Sequence, residues 1–215
     1  MKKIFGKGSL SIILLCGIGS FSHADIIVNQ LYNTGLDNIG AATPATGGID
    51  SHWMVDGQSA VSYKHPAYAA NDFDSLWVSV NQHGGNETTS ATTYTYSTTF
   101  DLTGYDSSSA SISGLWGADN YGTIFLNGHD TGNTLDFGYA AFTSLNQFSI
   151  ADYFNNGINT LSVELTNGHL NPAYDPGPGA LRFDNLELSA IAVPEPGTIA
   201  LLSLGLAGLF CARRK

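Results

Sequence analysis

Residues 161–166 read LSVELT, in which Leu161, Val163 and Leu165 alternate with polar residues. A period of two places the three apolar side chains on one face, which is typical of a β-strand with one face buried. Gly157 shortly before them marks a turn. The stretch therefore predicts a strand whose inward face covers a hydrophobic core.

Similar short runs recur along the chain, separated by segments rich in Gly, Asn, Asp and Ser. Four of them have the length of strands: Phe73–Val80, Tyr94–Phe100, Ile112–Trp116 and Thr123–Leu126. The last leads into Asn127-Gly128, a common hairpin turn. Helical character is confined to Ser149–Asn155. This spacing predicts a single all-β domain, an antiparallel sandwich or barrel.

The last strand-like run changes phase. Leu181 and Phe183 occupy odd positions, whereas Leu186 and Leu188 occupy even ones. A β-bulge near residues 184–185 would return both pairs to the same face. We therefore predict a bulge there.

Charge is distributed very unevenly. The chain has 18 acids and 8 bases, but six bases lie at the two ends, so that Lys64 and Arg182 face 17 acids in residues 25–192. Such a body repels phosphate backbones, which argues against a nucleic-acid partner. Cys16 and Cys211 also lie in the terminal segments, so no disulfide can stabilise the body.

Residues 1–24 have the three parts of a secretory signal peptide. Lys2, Lys3 and Lys7 precede a short apolar run, and Ser22-His23-Ala24 has small residues where a signal peptidase reads them. We expect a signal helix, export and cleavage before Asp25. The alternative of a retained anchor is weaker, because the run is shorter than the roughly 20 residues that span a bilayer.

Residues 193–215 contain a different kind of signal. Pro194-Glu195-Pro196 is followed by an apolar run over residues 198–212 and then by Arg213-Arg214-Lys215. The prolines end the preceding strand, and the basic cluster would remain on the cytoplasmic side of a membrane. This order predicts a C-terminal transmembrane helix that holds the chain after export.

These residues resemble the PEP-CTERM sorting signal, with Pro194, Glu195 and Pro196 as the recognition motif and Arg213 and Arg214 as the orienting cluster. The resemblance implies processing by the membrane enzyme exosortase. It also implies delivery to the cell surface or extracellular matrix of a Gram-negative bacterium, with only transient membrane anchoring. An ordinary tail anchor that contains the same tripeptide is the alternative.

Residues 90–190 also resemble a known family in their turns. Asp119-Asn120, the turn Leu126-Asn127-Gly128 and the later Gly157-Ile158-Asn159 are similar to the corresponding turns of galactose-binding-like jelly-roll domains. The resemblance implies a jelly-roll β-sandwich, often sugar-binding and sometimes with a structural calcium ion. It carries over no ligand residues.

Candidate ligand residues are aromatic or acidic. Trp53 and Tyr174 are the candidates for stacking on a sugar ring, although core packing of Trp53 stays open, and Trp77 and Trp116 are expected in the core. Asp119, Asn120, Asp184 and Asn185 are candidate calcium ligands, because hard cations need several converging oxygens. The scattered histidines have no zinc-site spacing.

Catalytic motifs are missing from the sequence: it has no Gly-x-Ser-x-Gly elbow and no phosphate loop. We therefore expect a non-enzymatic domain, residues 25–192, that binds exopolysaccharide in a biofilm matrix or associates with its own copies. The alternative is a secreted glycan-processing hydrolase or lyase, which would require a cleft with paired carboxylates.

Overall fold

A computed structural model describes residues 26–85, 91–168 and 177–193, together with 202–203, 205–206 and 208–209. Eleven strands and one short helix follow in chain order within the described part of residues 26–193: β1 Ile26–Ile27, β2 Ile49–Val55, β3 Gln58–Ser62, β4 Val78–Ser79, β5 Thr92–Asp101, β6 Tyr105–Asp119, β7 Tyr121–Leu126, β8 His129–Leu135, α1 Ala140–Thr143, β9 Asn146–Ile150, β10 Ile158–Asn167 and β11 Ala180–Ala192.

The strands form one antiparallel sheet in the order β8-β7-β10-β5-β2-β3-β4-β11-β6-β9, with β1 also paired to β11. The sheet curls on itself, so that Trp53 of β2 stacks on Phe183 of β11 with ring centroids 4.9 Å apart. The predicted all-β antiparallel architecture is confirmed. Its two facing layers are halves of one continuous sheet joined by the β2–β3 hairpin.

A single large core fills the space between these layers. Strand alternation supplies it: Leu161, Val163 and Leu165 are fully buried, as the sequence pattern predicts. Trp77 and Trp116 are also buried, as expected. The apolar area removed from water, at about 25 cal/mol per Å², is the main stabilising contribution in a body without a disulfide.

The turns follow the predicted chemistry. Asn127 and Gly128 have φ values of 52° and 81° and join β7 to β8, which confirms the predicted hairpin. The pairing of β11 with β6 shifts register between Asp184 and Glu187, which confirms the predicted bulge. Phe183 before the bulge and Leu188 after it both face the core.

Two predicted elements are wrong. Ser149–Asn155 is not helical, because Phe148 and Ile150 are buried at a spacing of two and pair with β6, so β9 extends to Ile150. The strand predicted over Phe73–Val80 is reduced to Val78–Ser79, and Phe73 is 86% exposed. The residues before β4 instead form a loop over the outer face of β11.

Arg182 fixes this loop. Its guanidinium is 2% exposed and donates to Asp72 Oδ2 at 2.8 Å, to Ser75 Oγ at 2.6 Å and to the carbonyl of Ala70. Asp184 Oδ2 lies 3.3 Å from it on the same strand. One of the two bases in the acidic body is thus used internally to hold the loop on the sheet.

The β6–β11 pair gives the fold two distinct ends. Asp119 lies opposite Ala180 at one end, and Tyr105 lies opposite Ala192 at the other. Ile26 pairs with Ala190, so the first and last described strands meet at the second end.

The predicted signal helix of residues 1–24 lies outside the described residues. So does most of the predicted tail, of which residues 202–203, 205–206 and 208–209 are helical. In the described part of the chain, no helix is long and apolar enough to cross a membrane.

Replacing Arg182 with methionine should destabilise the protein by about 3 kcal/mol. Removing one partner of a buried ion pair typically costs about 3–5 kcal/mol, and the lower figure is expected because Asp72 is 41% exposed and water screens it. Urea unfolding followed by tryptophan fluorescence measures the loss. Lys64→Met, at an exposed base, is the matched control and should change stability by less than about 0.5 kcal/mol; equal losses in both variants would contradict the assignment.

Candidate functional site

A pocket of about 270 Å³ opens at the end of the fold where β6 turns into β7. The β6–β7 corner, the segment from β8 into α1 and the residue before Gly179 contribute its lining: Asp119, Asn120, Phe137, Gly138, Tyr139, Phe142 and Pro178. We call this the Asp119 pocket. It combines a carboxyl, an amide and three aromatic rings.

The helix α1 forms one wall because glycine permits its close approach. A Cβ on Gly117 of β6 would lie 2.6 Å from the Trp77 ring and 3.1 Å from the carbonyl oxygen of Ala141. The first distance is shorter than real Cβ contacts allow, and the second is tighter than most of them. The glycine on the outer face of β6 therefore lets α1 and Trp77 pack directly on the strand, which sets Phe142 beside the pocket.

Asp119 lies at the floor and is held by two donors. Tyr68 Oη donates to Asp119 Oδ2 at 2.9 Å, and Asn120 Nδ2 donates to Oδ1 at 2.8 Å. Asn120 Oδ1 in turn accepts from the amide of Gly168 at 2.7 Å. These bonds fix the orientation of both side chains before any ligand enters.

An aromatic layer lies beneath the pocket. Tyr68 packs against Trp77 with ring centroids 4.7 Å apart and against Phe142 at 5.7 Å. Trp77 Nε1 donates to the carbonyl of Ala69 at 2.9 Å, so its one polar group is satisfied. This second, smaller core lies outside the main sheet and supports the pocket from below.

Burial controls the ionisation of Asp119, at the floor of the pocket. Burial raises the pKa of Asp119 to about 6, and the hydrogen bond from Tyr68 opposes part of that rise. The pKa of Tyr68 is also raised, first by burial and then by the neighbouring Asp119 carboxylate, so the hydroxyl stays a donor. Asp119 is consequently a carboxylate above pH 6 and a neutral acid below it.

The pocket mouth carries the exposed aromatic surface. Tyr139 is 80% exposed and Phe137 is 36% exposed, and the Tyr139 ring lies 5.6 Å from that of Phe142. A flat ring at the mouth and fixed hydrogen-bonding groups at the floor can together bind a small ligand with one apolar face and several hydroxyls.

Trp53 requires a correction. It is fully buried, its ring stacks on Phe183, and its Nε1 donates to the carbonyl of Tyr32 at 2.9 Å. Stacking on a sugar needs an open ring face, so Trp53 is a core residue and not a ligand-binding candidate. Its parity in β2, inward with Val55, is the physical reason.

The other predicted aromatic candidate, Tyr174, lies outside the described residues, as do Pro194, Glu195, Pro196, Arg213 and Arg214 of the sorting motif.

The four candidate calcium ligands do not form one site. Asp119 pairs with Ala180, whereas Asp184 pairs with Leu115. The two acids are thus four residues apart along the sheet, or about 13 Å at the usual strand rise. The sequence could not show this, because the register between β6 and β11 is a tertiary property.

Asp184 lies instead with Asp72 and Asp74, and one carboxylate oxygen of each lies within 4.8 Å of the others. The Arg182 guanidinium already contacts two of the three acids. Asn185 is exposed at the bulge with a φ of 49°. The expectation of a structural calcium ion stays a prediction.

The sequence analysis missed the aromatic part of the pocket. Phe137, Tyr139 and Phe142 fall within the short stretch FGYAAF directly after β8, and this clustering of rings was the available signal. Tyr68 gave no such signal, because its contact with Asp119 joins residues 51 positions apart.

Comparison with protein families identifies the C-terminal segment. A model described as the PEP-CTERM protein-sorting motif matches residues 192–215. The chain therefore carries a PEP-CTERM sorting motif. This confirms the predicted sorting signal, and the motif implies exosortase as processing partner, with export and sorting to the cell envelope. A comparison with curated proteins found no match.

Among solved structures, the chain is similar to a β-glucosidase from Kluyveromyces marxianus, at 15% identity and a TM-score of 0.29, over 54% of this chain and 14% of that one. The same enzyme in complex with glucose gives 16% identity, a TM-score of 0.27 and coverage of 54% and 13%. The CBM36-1 domain of a multidomain xylanase from the hindgut metagenome of Trinervitermes trinervoides is 11% identical, with a TM-score of 0.31. That similarity covers 80% of this chain and 100% of the CBM36-1 chain. Likenesses this distant assign neither a ligand nor an activity to the chain.

The raised pKa of Asp119 predicts a pH dependence of stability. Asp119 titrates near pH 6 when folded and near 3.8 when unfolded, so between these values only the folded state keeps the proton. Stability should therefore fall as the pH rises from about 4 to about 6, by at most about 3 kcal/mol, and then level off.

Asp119→Asn removes this titration while keeping a side chain of the same shape. Urea unfolding at pH 4.5 and 7.5 gives the stability difference between the wild type and the variant. Subtraction cancels the other acids, and the wild type should lose stability relative to the variant at the higher pH. Parallel pH profiles would show that Asp119 has an ordinary pKa.

Proposed function

We propose that this PEP-CTERM protein is an exported, exosortase-processed envelope protein of a Gram-negative bacterium whose β-domain binds carbohydrate in the Asp119 pocket. The ligand is a neutral polysaccharide of the extracellular matrix. One observation carries the proposal: an exposed Tyr139 ring stands beside a fixed Asp119–Asn120 hydrogen-bonding pair. Sugars match this surface, because a pyranose ring has an apolar face and a hydroxyl edge.

The negative charge of the body limits the class of polysaccharide that it can bind. Within residues 25–192 the chain has 17 acids and two bases, and Arg182 is buried in its own ion pairs. A polyanionic chain such as alginate would be repelled by this field. A neutral chain would be unaffected, so uncharged polysaccharides are the favoured ligands.

Binding without cleavage is the favoured activity. Glycoside hydrolysis usually needs two carboxyl groups about 5–10 Å apart. Among the described residues that line the pocket, Asp119 is the one acid. We therefore assign the pocket a binding role, with slow hydrolysis of the bound polymer as the outcome that would favour the enzyme alternative.

Tyr139→Ala should weaken binding of a neutral polysaccharide about tenfold, since loss of a stacked ring costs about 1–1.5 kcal/mol. Tyr139→Phe keeps the ring and should keep most of the affinity. Affinity electrophoresis against galactomannan, xylan and dextran, with alginate as the anionic comparison, provides the measurement.

Tyr153→Ala is the matched control, because Tyr153 is 48% exposed but distant from the pocket. Binding that is lost equally in the two tyrosine variants, or retained in Tyr139→Ala, would contradict the proposed site. A reducing-sugar assay on the same samples tests for hydrolysis.

A further inference from the structure

At the end of the fold opposite to the Asp119 pocket, five apolar side chains are between 46% and 72% exposed: Ile26, Ile27, Tyr153, Ile158 and Val193. We call this set the tail-end surface. Its members come from four separate segments of the chain, so their shared location is a result of the fold and not of sequence proximity.

Strand pairing establishes that location. The amide of Val193 donates to the carbonyl of Gly104, in the turn between β5 and β6, at 2.8 Å. Ile158 lies opposite Asp101, the last residue of β5. The carbonyl of Tyr153 accepts from Asn127 Nδ2, in the β7–β8 turn, at 2.7 Å. These turns all lie at the Tyr105 end of β6.

The described body ends beside the tail-end surface, directly before the sorting motif. Val193 is the last described residue before the Pro-Glu-Pro motif, and Ile199, the first large apolar residue of the run over residues 198–212, comes six residues later. Six residues span at most about 20 Å even when fully extended. The Asp119 pocket lies a whole strand away, about 40 Å along β11 at the usual rise.

Acidic side chains limit how deeply the domain can enter a membrane surface. The body carries 17 acids against two bases, and an anionic lipid surface would repel its long faces. The tail-end surface also has acids beside it, Asp101 and Asp106. We therefore expect a shallow contact, in which the Tyr153 ring lies in the interfacial region and the isoleucine and valine side chains supply apolar surface.

We propose that the tail-end surface rests against the membrane that holds the predicted C-terminal tail, so that the Asp119 pocket is presented about 40 Å away from it. The orientation follows from the short connection and the exposed apolar end. While the tail is uncleaved, this orientation leaves the pocket open on the side of the domain that faces away from the membrane; that a polymer binds there rests on the proposed carbohydrate-binding function.

The test uses the exported chain, residues 25–215, in a background with Cys211→Ser, reconstituted in phosphatidylcholine vesicles, so that the apolar run of the signal peptide cannot itself hold the Ile26 end at the lipid. A fluorophore is attached at Asn156→Cys, beside the tail-end surface, or at Asp136→Cys, beside the pocket; both positions are exposed. Lipids with a nitroxide on the headgroup quench only labels near the interface. We expect several-fold stronger quenching at position 156 than at position 136.

Equal quenching at the two positions, or none at position 156, would overturn the proposed orientation. A label at 156 that is shielded from aqueous iodide but not quenched by lipid would mean that a second copy of the chain covers the surface, which also overturns it. No ligand is needed for this readout, so failure of carbohydrate binding leaves the result interpretable.

Paired variants separate membrane contact from mere proximity. Ile27→Ser with Ile158→Ser should reduce lipid quenching at position 156 several-fold and leave polysaccharide affinity unchanged. Phe73→Ser is the matched control, because Phe73 is 86% exposed and lies on the loop over β11. Equal loss of quenching in the control would contradict a specific role for the tail-end surface.

Discussion

The pairing of β6 with β11 is the constraint on which the rest of the structure depends. These are the two longest strands, and their register places Asp119 opposite Ala180 and Tyr105 opposite Ala192. The pair supplies part of the main core through Phe183 on its inner side. On its outer side it supports the loop and short helix that build the pocket. A shift of one residue would reverse the inner and outer faces along the whole pair.

Scarcity of positive charge explains much of the local chemistry. Arg182 is committed to Asp72, Asp184 and the loop backbone, where a buried cation needs several acceptors at once. The two side-chain partners found for Asp119 are neutral, Tyr68 and Asn120, so burial is not offset by a cation and the pKa rises. The acidic composition therefore leaves the Asp119 carboxyl without a cationic partner, and its pKa lies near 6.

Val193, the last described residue before the sorting motif, and the Asp119 pocket lie at opposite ends of the β6–β11 pair. The motif directs the chain to the envelope, and the antiparallel geometry then separates the processed end from the proposed binding end. Because β6 and β11 pair along almost their whole length, interrupted by register shifts at Asp184/Glu187 and Ser189/Ile191, this separation does not depend on a flexible linker within the domain. The sorting signal and the proposed binding site thus belong to different parts of the same small fold.

The sequence by itself determined the all-β class, the β7–β8 hairpin, the bulge near residues 184–185 and the PEP-CTERM segment. Each of these follows from a pattern among residues that are close together in the sequence: a period of two, an Asn-Gly pair, a phase change, or a motif whose parts occur in a fixed order. Only the tertiary structure decided that Trp53 is core, that Asp119 and Asp184 lie apart, and that Tyr68 meets Asp119. Those outcomes depend on strand register and on packing between residues distant in sequence, which no local pattern encodes.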